Sequence, residues 1–189
     1  NIDLVAVCDV QRENAEFGAR EVERLFGRKP LVFTDLDQVL ARTDISAVDV
    51  VTDTRSHHDF AIKALEAGAH VAVEKPMGLT VRACHRMMEA SRRTGRVLSV
   101  SENYRRDPMN RLAKALLQSG ILGEPRLAFI VSLMGSRHVS QLAGWHHMKL
   151  RGGNFLESGV HAADLLLYLM GGVGRVQAET DLWERIRYT

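Results

Sequence analysis

The feature that most constrains the fold is an alternation running through the first hundred residues. Short β-branched or apolar runs at Leu4–Cys8, Leu31–Phe33, Ala47–Val51, His70–Val73 and Arg96–Val100 take turns with helical stretches. Those stretches are Arg12–Phe26, Leu36–Ala41, Asp59–Ala67 and Thr80–Thr94. Strands alternating with helices of this length predict βαβ units around a parallel sheet. Continuously apolar strands fit a sheet covered on both faces. Gly27, Gly68 and Gly95 stand where C′ glycines end helices, and Thr80 stands where an N-cap begins one.

After residue 100 the pattern changes. Asp107–Ser119 reads as a helix, 125–134 as a longer strand, Phe155–Met170 as a strong helix and Arg175–Arg185 as a strand. Between them, 135–154 is irregular, glycine-rich and polar. The expected division is a nucleotide-binding part over 1–105 and an α+β part over 106–189. The chain opens inside a strand-like run with no starting Met, and its second part closes after two strands, a sheet rarely stable alone. The expectation is a piece truncated at both ends.

Composition narrows the function classes. The chain has 189 residues, is 46% hydrophobic and carries a net charge of +2 with both signs interspersed. That is a solvated surface rather than the basic stripe of a nucleic-acid binder. The longest apolar stretch, "DLLLYLMGGVG", is too short to span a bilayer. Cys8 and Cys84, without CxxC spacing, read as reduced core thiols of a cytoplasmic protein. His57 and His58 are adjacent and share no face, so no metal site is expected.

Ligands of doubly wound sheets bind beyond the carboxyl ends of the strands. The first strand closes on Asp9, an acid able to accept from both ribose hydroxyls and to repel a 2′-phosphate. That favours NAD over NADP, with Arg12 nearby leaving NADP open. A plain turn-starting aspartate fits Asp9 equally. Ala47–Val51 closes on Thr52-Asp53-Thr54, hydroxyls that suit either a cofactor groove or a helix cap. His70–Val73 ends on Glu74-Lys75-Pro76. A surface ion pair is the plain reading, worth little. The position instead suits a lysine that handles a proton or a substrate oxygen.

On the helix Phe155–Met170, Glu157, His161, Asp164 and Tyr168 form one narrow polar stripe. It is either the solvent side of a half-buried helix or a site. The absence of lysine and arginine from it favours a site, with Glu157 one turn from His161 as an oriented acid/base unit. Gly152-Gly153 ahead of it would let backbone approach a ligand.

Four blocks, "VAVCDV", "AVDVVTDTRSHHDFAIKALEAGAHVAVEKPMGLT", "SENYRRDP" and "GGNFLESGVHAADLLLYLMG", in this order and spacing, resemble the Gfo/Idh/MocA oxidoreductases over essentially the whole chain. The resemblance implies a Rossmann-type doubly wound parallel sheet, here lacking its first βα unit. It implies that part of an α+β domain follows, with an open, mainly antiparallel sheet. It implies nicotinamide-dependent hydride transfer to or from a sugar, inositol or related polyol carbon, and a homo-oligomer. Lys75 matches the family's EKP lysine, His161 its catalytic histidine, and Asn103 a residue near the nicotinamide.

The expected catalytic set is therefore Lys75, His161 and Glu157, with His161 moving the proton, Glu157 orienting it and Lys75 polarising the reacting oxygen, or with the roles of His161 and Lys75 reversed. The cofactor set is Asp9, Arg12, Thr52, Thr54, His57, Glu74, Lys75 and Asn103. The substrate set is Lys75, Asn103, Tyr104, Trp145, His146 and His161. Three departures from the family pattern stand out. The G-x-G-x-x-G turn is not in the chain, so weak dinucleotide binding or none is expected of it. Thr52-Asp53-Thr54 stands where Thr-Pro-Asn is usual, and Glu157 where many members have Asp. A non-catalytic nucleotide sensor and redox-assisted glycoside cleavage are the competing readings.

Overall fold

Five short strands carry the first half of the chain in a computed structural model that describes residues 2–132 and 153–179. They are β1 (Ala6–Cys8), β2 (Leu31–Phe33), β3 (Ala47–Val50), β4 (His70–Val73) and β5 (Leu98–Val100). The intervening helices are α1 (Arg12–Phe26), α2 (Leu36–Leu40), α3 (His57–Glu66) and α4 (Val81–Thr94). A 3₁₀ turn, Tyr104–Arg106, then leads into α5 (Pro108–Gln118), and α6 spans Gly153–Met170. The expected alternation is the observed one, and β2, β4 and α1 match their expected bounds to the residue.

Hydrogen bonds divide the strands into a pair, β1-β2, and a trio in the order β3-β4-β5. β1 and β2 run parallel with Val7 opposite Val32. Val71 N bonds Val97 O, and Ser101 N bonds Val73 O; both numbers rise together, so β4 and β5 are parallel. In the doubly wound order 3-2-1-4-5-6 these groups correspond to 3-2 and 4-5-6. Strand 1 of that order has no counterpart among the described residues. The arrangement is a Rossmann-type α/β fold, as expected.

The chain forms two compact units. The first comprises Asn1–Val50, Asp59–Ala72 and Arg86–Ser99. In it α1 lies close on β1 because its inner residues are small: Ala15 and Ala19 are fully buried, and a Cβ on Gly18 would stand 3.2 Å from Val7 Cγ1. Its core continues through Ala61, Ala64 and Leu65 of α3, Val71 of β4, and Met87 and Ala90 of α4. Gly27 ends α1 at φ 74°, a left-handed turn that a side chain would strain, and its N–H closes on Glu23 O at 2.8 Å. The second unit comprises Val51–His58, Val73–His85 and Val100–Thr189. There Thr80 Oγ1 accepts from Ala83 N at 3.1 Å as the N-cap of α4. Asp107 caps α5 through Met109 N at 2.8 Å, with Pro108 in its first turn.

Two expectations need correction. No strand forms over the described part of 125–134 or over 175–179. A strand exists by its pairing, and among the described residues nothing pairs with or covers this stretch: Leu127, Phe129 and Val131 are largely exposed. The expected antiparallel sheet of the second part is thus not seen among the described residues. The thiols are not core residues either. Cys8 ends β1 exposed, and Cys84 on α4 is half-buried. Among the described residues no helix is long and apolar enough to cross a membrane.

Candidate active site

β4 is anchored by Val71 and Val73, both essentially buried, so the residues after it are fixed at the sheet's carboxyl end. Lys75 follows there, and its bond to Pro76 is cis. Lys75 Nζ donates to Glu157 Oε2 at 3.1 Å and to the Glu157 carbonyl at 3.0 Å. Glu157 Oε1 accepts from the Thr54 hydroxyl at 2.8 Å. Glu157 and Thr54 are 4% and 3% exposed, and the Lys75 side chain 21%. This is no surface ion pair, and the carboxylate Lys75 finds is 82 residues away rather than its neighbour Glu74.

One turn further along α6, His161 Nδ1 stands 2.8 and 2.9 Å from the two carboxylate oxygens of Glu102. Glu102 follows β5 and is buried, and its Oε1 also accepts from Tyr104 N at 2.9 Å. The Tyr104 ring stacks on the imidazole, centroids 4.2 Å apart and planes 11° from parallel. Next on the stripe, Asp164 accepts from Arg105 Nε at 2.7 Å and from a second guanidinium nitrogen. That hydrogen bond pushes the Arg105 pKa up. The Tyr168 ring lies beneath Arg105 and Lys114, 5.4 and 5.6 Å from its centroid. The stripe is therefore not a solvent face. Glu157 is buried, whereas Phe155 and Leu167 of the same helix are 77% and 46% exposed.

The carboxylate pairing differs from the one the helical spacing suggested. Glu157 serves Lys75 and Thr54, while Glu102 serves His161. Neighbours at i and i+4 share a face, but each side chain turns to whichever loop meets it. Glu102 was missed, although the strand-end rule that singled out Asp9, Thr52 and Lys75 applies equally to it after β5.

The remaining expected site residues fall as follows. His57 is 1% exposed, with Nδ1 3.1 Å from Pro76 O and Nε2 3.0 Å from Thr52 O. Both ring nitrogens face backbone carbonyls, one donating its hydrogen and the other held against the second carbonyl, so neither is offered to a ligand. Thr54 gives its hydroxyl to Glu157 from a buried position, which makes it a support rather than a groove wall. Thr52 is exposed, its Oγ1 accepting from Ser56 Oγ at 3.0 Å. Asn103 and Tyr104 line a cavity of about 310 Å³ with Arg106, Asp107 and Asn110. Trp145 and His146 lie outside the described residues.

In the first unit, Asp9 Oδ1 accepts from Gln11 N at 2.8 Å and Asn14 Nδ2 at 3.4 Å, with no protein donor to Oδ2 among the described residues. That free oxygen at a strand's carboxyl end suits a ribose hydroxyl, so the residues present fit the nucleotide there. Arg12 is drawn to Glu16 at 2.9 Å. Partial desolvation, then the carboxylates of Asp35 and Asp9, push the Cys8 thiol up although the residue as a whole is exposed. Among the described residues no cluster of three or more His, Cys, Asp and Glu could hold a metal ion.

Comparison with known proteins places these features in one family. A model described as "Oxidoreductase family, NAD-binding Rossmann fold" matches residues 1–102, and one described as "GFO/IDH/MocA C-terminal domain" matches residues 110–186. The D-glucoside 3-dehydrogenase of Escherichia coli K12 is 27% identical over 90% of this chain and 47% of its own length. A glycosyl hydrolase family 109 protein of Phocaeicola vulgatus is 30% identical over 77% of this chain and 37% of its own. Among solved structures, the WlbA dehydrogenase from Bordetella pertussis, in complex with NADH and UDP-GlcNAcA, superposes with TM-score 0.73 at 28% identity. That match covers 89% of this chain and 48% of the other. The chain thus spans about half the length, or less, of the relatives it matches.

Proposed function

Because the chain belongs to the Gfo/Idh/MocA oxidoreductases, we propose that the protein transfers a hydride between NAD and a hydroxyl-bearing carbon of a sugar, inositol or related polyol. The observation that carries this reading is the separate pairing of two ionisable groups, one on α6 and one just after β4. Lys75 gives N–H bonds to Oε2 and the carbonyl oxygen of Glu157, while His161 has one ring nitrogen tied to Glu102 and the other without a partner among the described residues. A base needs a lone pair, which His161 Nε2 supplies. A group that holds an oxygen needs a hydrogen to donate, and an ammonium has three, so Lys75 keeps one beyond its two bonds.

In this reading His161 takes the hydroxyl proton at Nε2 as the alcohol is oxidised, and returns it in the reverse direction. Lys75 donates to the same oxygen and steadies the charge that builds there. Glu157 and Thr54 hold Lys75 in place. Asp9 holds the ribose hydroxyls, and its charge favours NAD over NADP. NAD, when bound, supplies the hydride acceptor. Asn103 and Tyr104 border the substrate, and the division into a nucleotide part and a substrate part falls near residues 105–106. A cytoplasmic homo-oligomer completes the reading, the compartment resting on two unpaired thiols.

The similarity to a glycosyl hydrolase family 109 protein favours one alternative, glycoside cleavage assisted by transient oxidation. Incubating the intact protein with NAD and a panel of sugars, inositols and glycosides, while following NADH absorbance and released sugar, tests both; this stretch alone, without the G-x-G-x-x-G turn, is expected to bind NAD weakly or not at all. NADH formation with a free sugar or polyol is expected. Sugar release without net NADH selects the alternative, and neither signal, with NAD binding intact, selects a non-catalytic sensor.

A further inference from the structure

Resting on the hydride-transfer reading, we propose that Glu102 is the positioning residue for His161: it holds the imidazole with its proton on Nδ1 and so presents Nε2 as the base. Three observations converge. Both oxygens of Glu102 stand within 2.9 Å of His161 Nδ1. An ionised carboxylate only accepts, so the nitrogen facing it carries the hydrogen. The carboxylate is itself fixed: it follows β5, its side chain is 8% exposed, and Tyr104 N donates to Oε1. Finally, Tyr104 stacks on the ring at 11° between planes, which confines the imidazole to that plane. Within that plane a ring flip would turn a C–H toward the carboxylate and lose the bond.

The step this serves is balanced. The alcohol O–H bond breaks and its proton passes to Nε2. The C–H hydrogen leaves with its electron pair to an oxidised nicotinamide, and a C=O bond forms. The imidazolium so created faces the Glu102 carboxylate across an existing hydrogen bond, as the orienting acid does in a Ser-His-Asp triad. Glu157, four residues before His161 on α6, takes no part in this, because its oxygens belong to Lys75 and Thr54.

The test is long-range proton–nitrogen NMR on protein labelled with ¹⁵N-histidine, with His161 assigned by its disappearance in His161→Gln. At a pH where the ring is neutral, the wild type is expected to show the Nδ1–H tautomer alone; the Nε2–H tautomer there overturns the proposal without any variant. In Glu102→Gln the carboxamide is able to donate to Nδ1, so the tautomer is expected to move to Nε2–H. Its kcat is expected to fall about 100-fold, with KM within about twofold of wild type. Glu102→Asp is expected to keep the Nδ1–H tautomer and recover at least about tenfold of the lost rate. A Glu102→Gln protein that melts like wild type and loses turnover with an unchanged tautomer overturns the proposal. Should Glu102→Gln fail to fold, the wild-type spectrum decides. Should no substrate turn over, an Nδ1–H tautomer that shifts in Glu102→Gln upholds the positioning role while the hydride-transfer reading falls.

Discussion

Replacing Glu157 with alanine strips the acceptors from two side chains at once, and the structure sets the cost. Thr54, 3% exposed, loses the acceptor of its 2.8 Å bond and has little access to water as a substitute. A buried polar group left without its partner costs about 1–3 kcal/mol. Lys75 loses a charge-assisted bond of about 1.5–3 kcal/mol, but its side chain is 21% exposed and it keeps the Glu157 carbonyl at 3.0 Å, so the lower end applies. The expected destabilisation is about 3 kcal/mol, within the range for breaking one side of a buried pair. For a chain of this size that lowers Tm by about 6–12 °C. Glu157→Gln keeps an amide oxygen for one donor and loses about half as much. Replacing all three together, Thr54→Val with Lys75→Met and Glu157→Leu, returns stability to within about 1 kcal/mol of wild type, since an apolar set of similar volume suffers no desolvation. Urea unfolding at constant m-value measures each. A Glu157→Ala protein within about 0.5 kcal/mol of wild type would refute the reasoning, because the pair would then behave as a surface one.

Two further outcomes follow from the same geometry. Burial pushes the Cys84 thiol up, and partial desolvation with the Asp35 and Asp9 carboxylates does so for Cys8. The folded pKa lies above the unfolded one, so this contribution to stability is whole below about pH 8.5 and is lost as pH rises through the folded value. Iodoacetamide is therefore expected to alkylate both thiols more slowly in the folded protein than in urea at pH 8, with the folded rate–pH curve displaced to the alkaline side; equal rates would contradict it. Separately, Thr80→Ala is expected to lower stability by about 1 kcal/mol by removing the N-cap of α4, and Thr80→Ser by only a few tenths; a melting curve for each checks this.

The fold was legible where local physics decides it. β-branched runs and helical periods located β2, β4 and α1 to the residue, and glycines marked the ends of α1, α3 and α4. α3 begins at His57 rather than at the expected Asp59, because the sequence does not show a buried imidazole set between the carbonyl oxygens of Pro76 and Thr52. The site was half legible. Reading the ends of strands found Lys75, and reading the helix stripe found Glu157 and His161. The pairings were out of reach, since periodicity reports contacts at i+4, whereas Lys75–Glu157 and His161–Glu102 span 82 and 59 residues. The expected strand over 125–134 does not form over its described residues, 125–132, for the complementary reason: the apolar pattern is real, but a strand is a property of a pair.

The two carboxylates also bear on why this chain buries paired polar groups where a sensor would need none. A nucleotide-binding groove asks for an acid at the end of β1 and nothing of α6. Burying Glu157 and Glu102 costs desolvation that an apolar set avoids, so neither pair is explained by stability. What the pairs provide is direction. Glu157 holds an ammonium by two of its hydrogens, and Glu102 holds an imidazole by one nitrogen. A donor and a lone pair are thereby fixed on residues whose carboxylates differ, so each is separately removable. Glu157→Gln should impair the hold on a substrate oxygen and leave the His161 tautomer in place, whereas Glu102→Gln should do the reverse. One variant disturbing both readouts equally would mean that the two pairs act as a single structural network, and the division of roles between Lys75 and His161 would go with it.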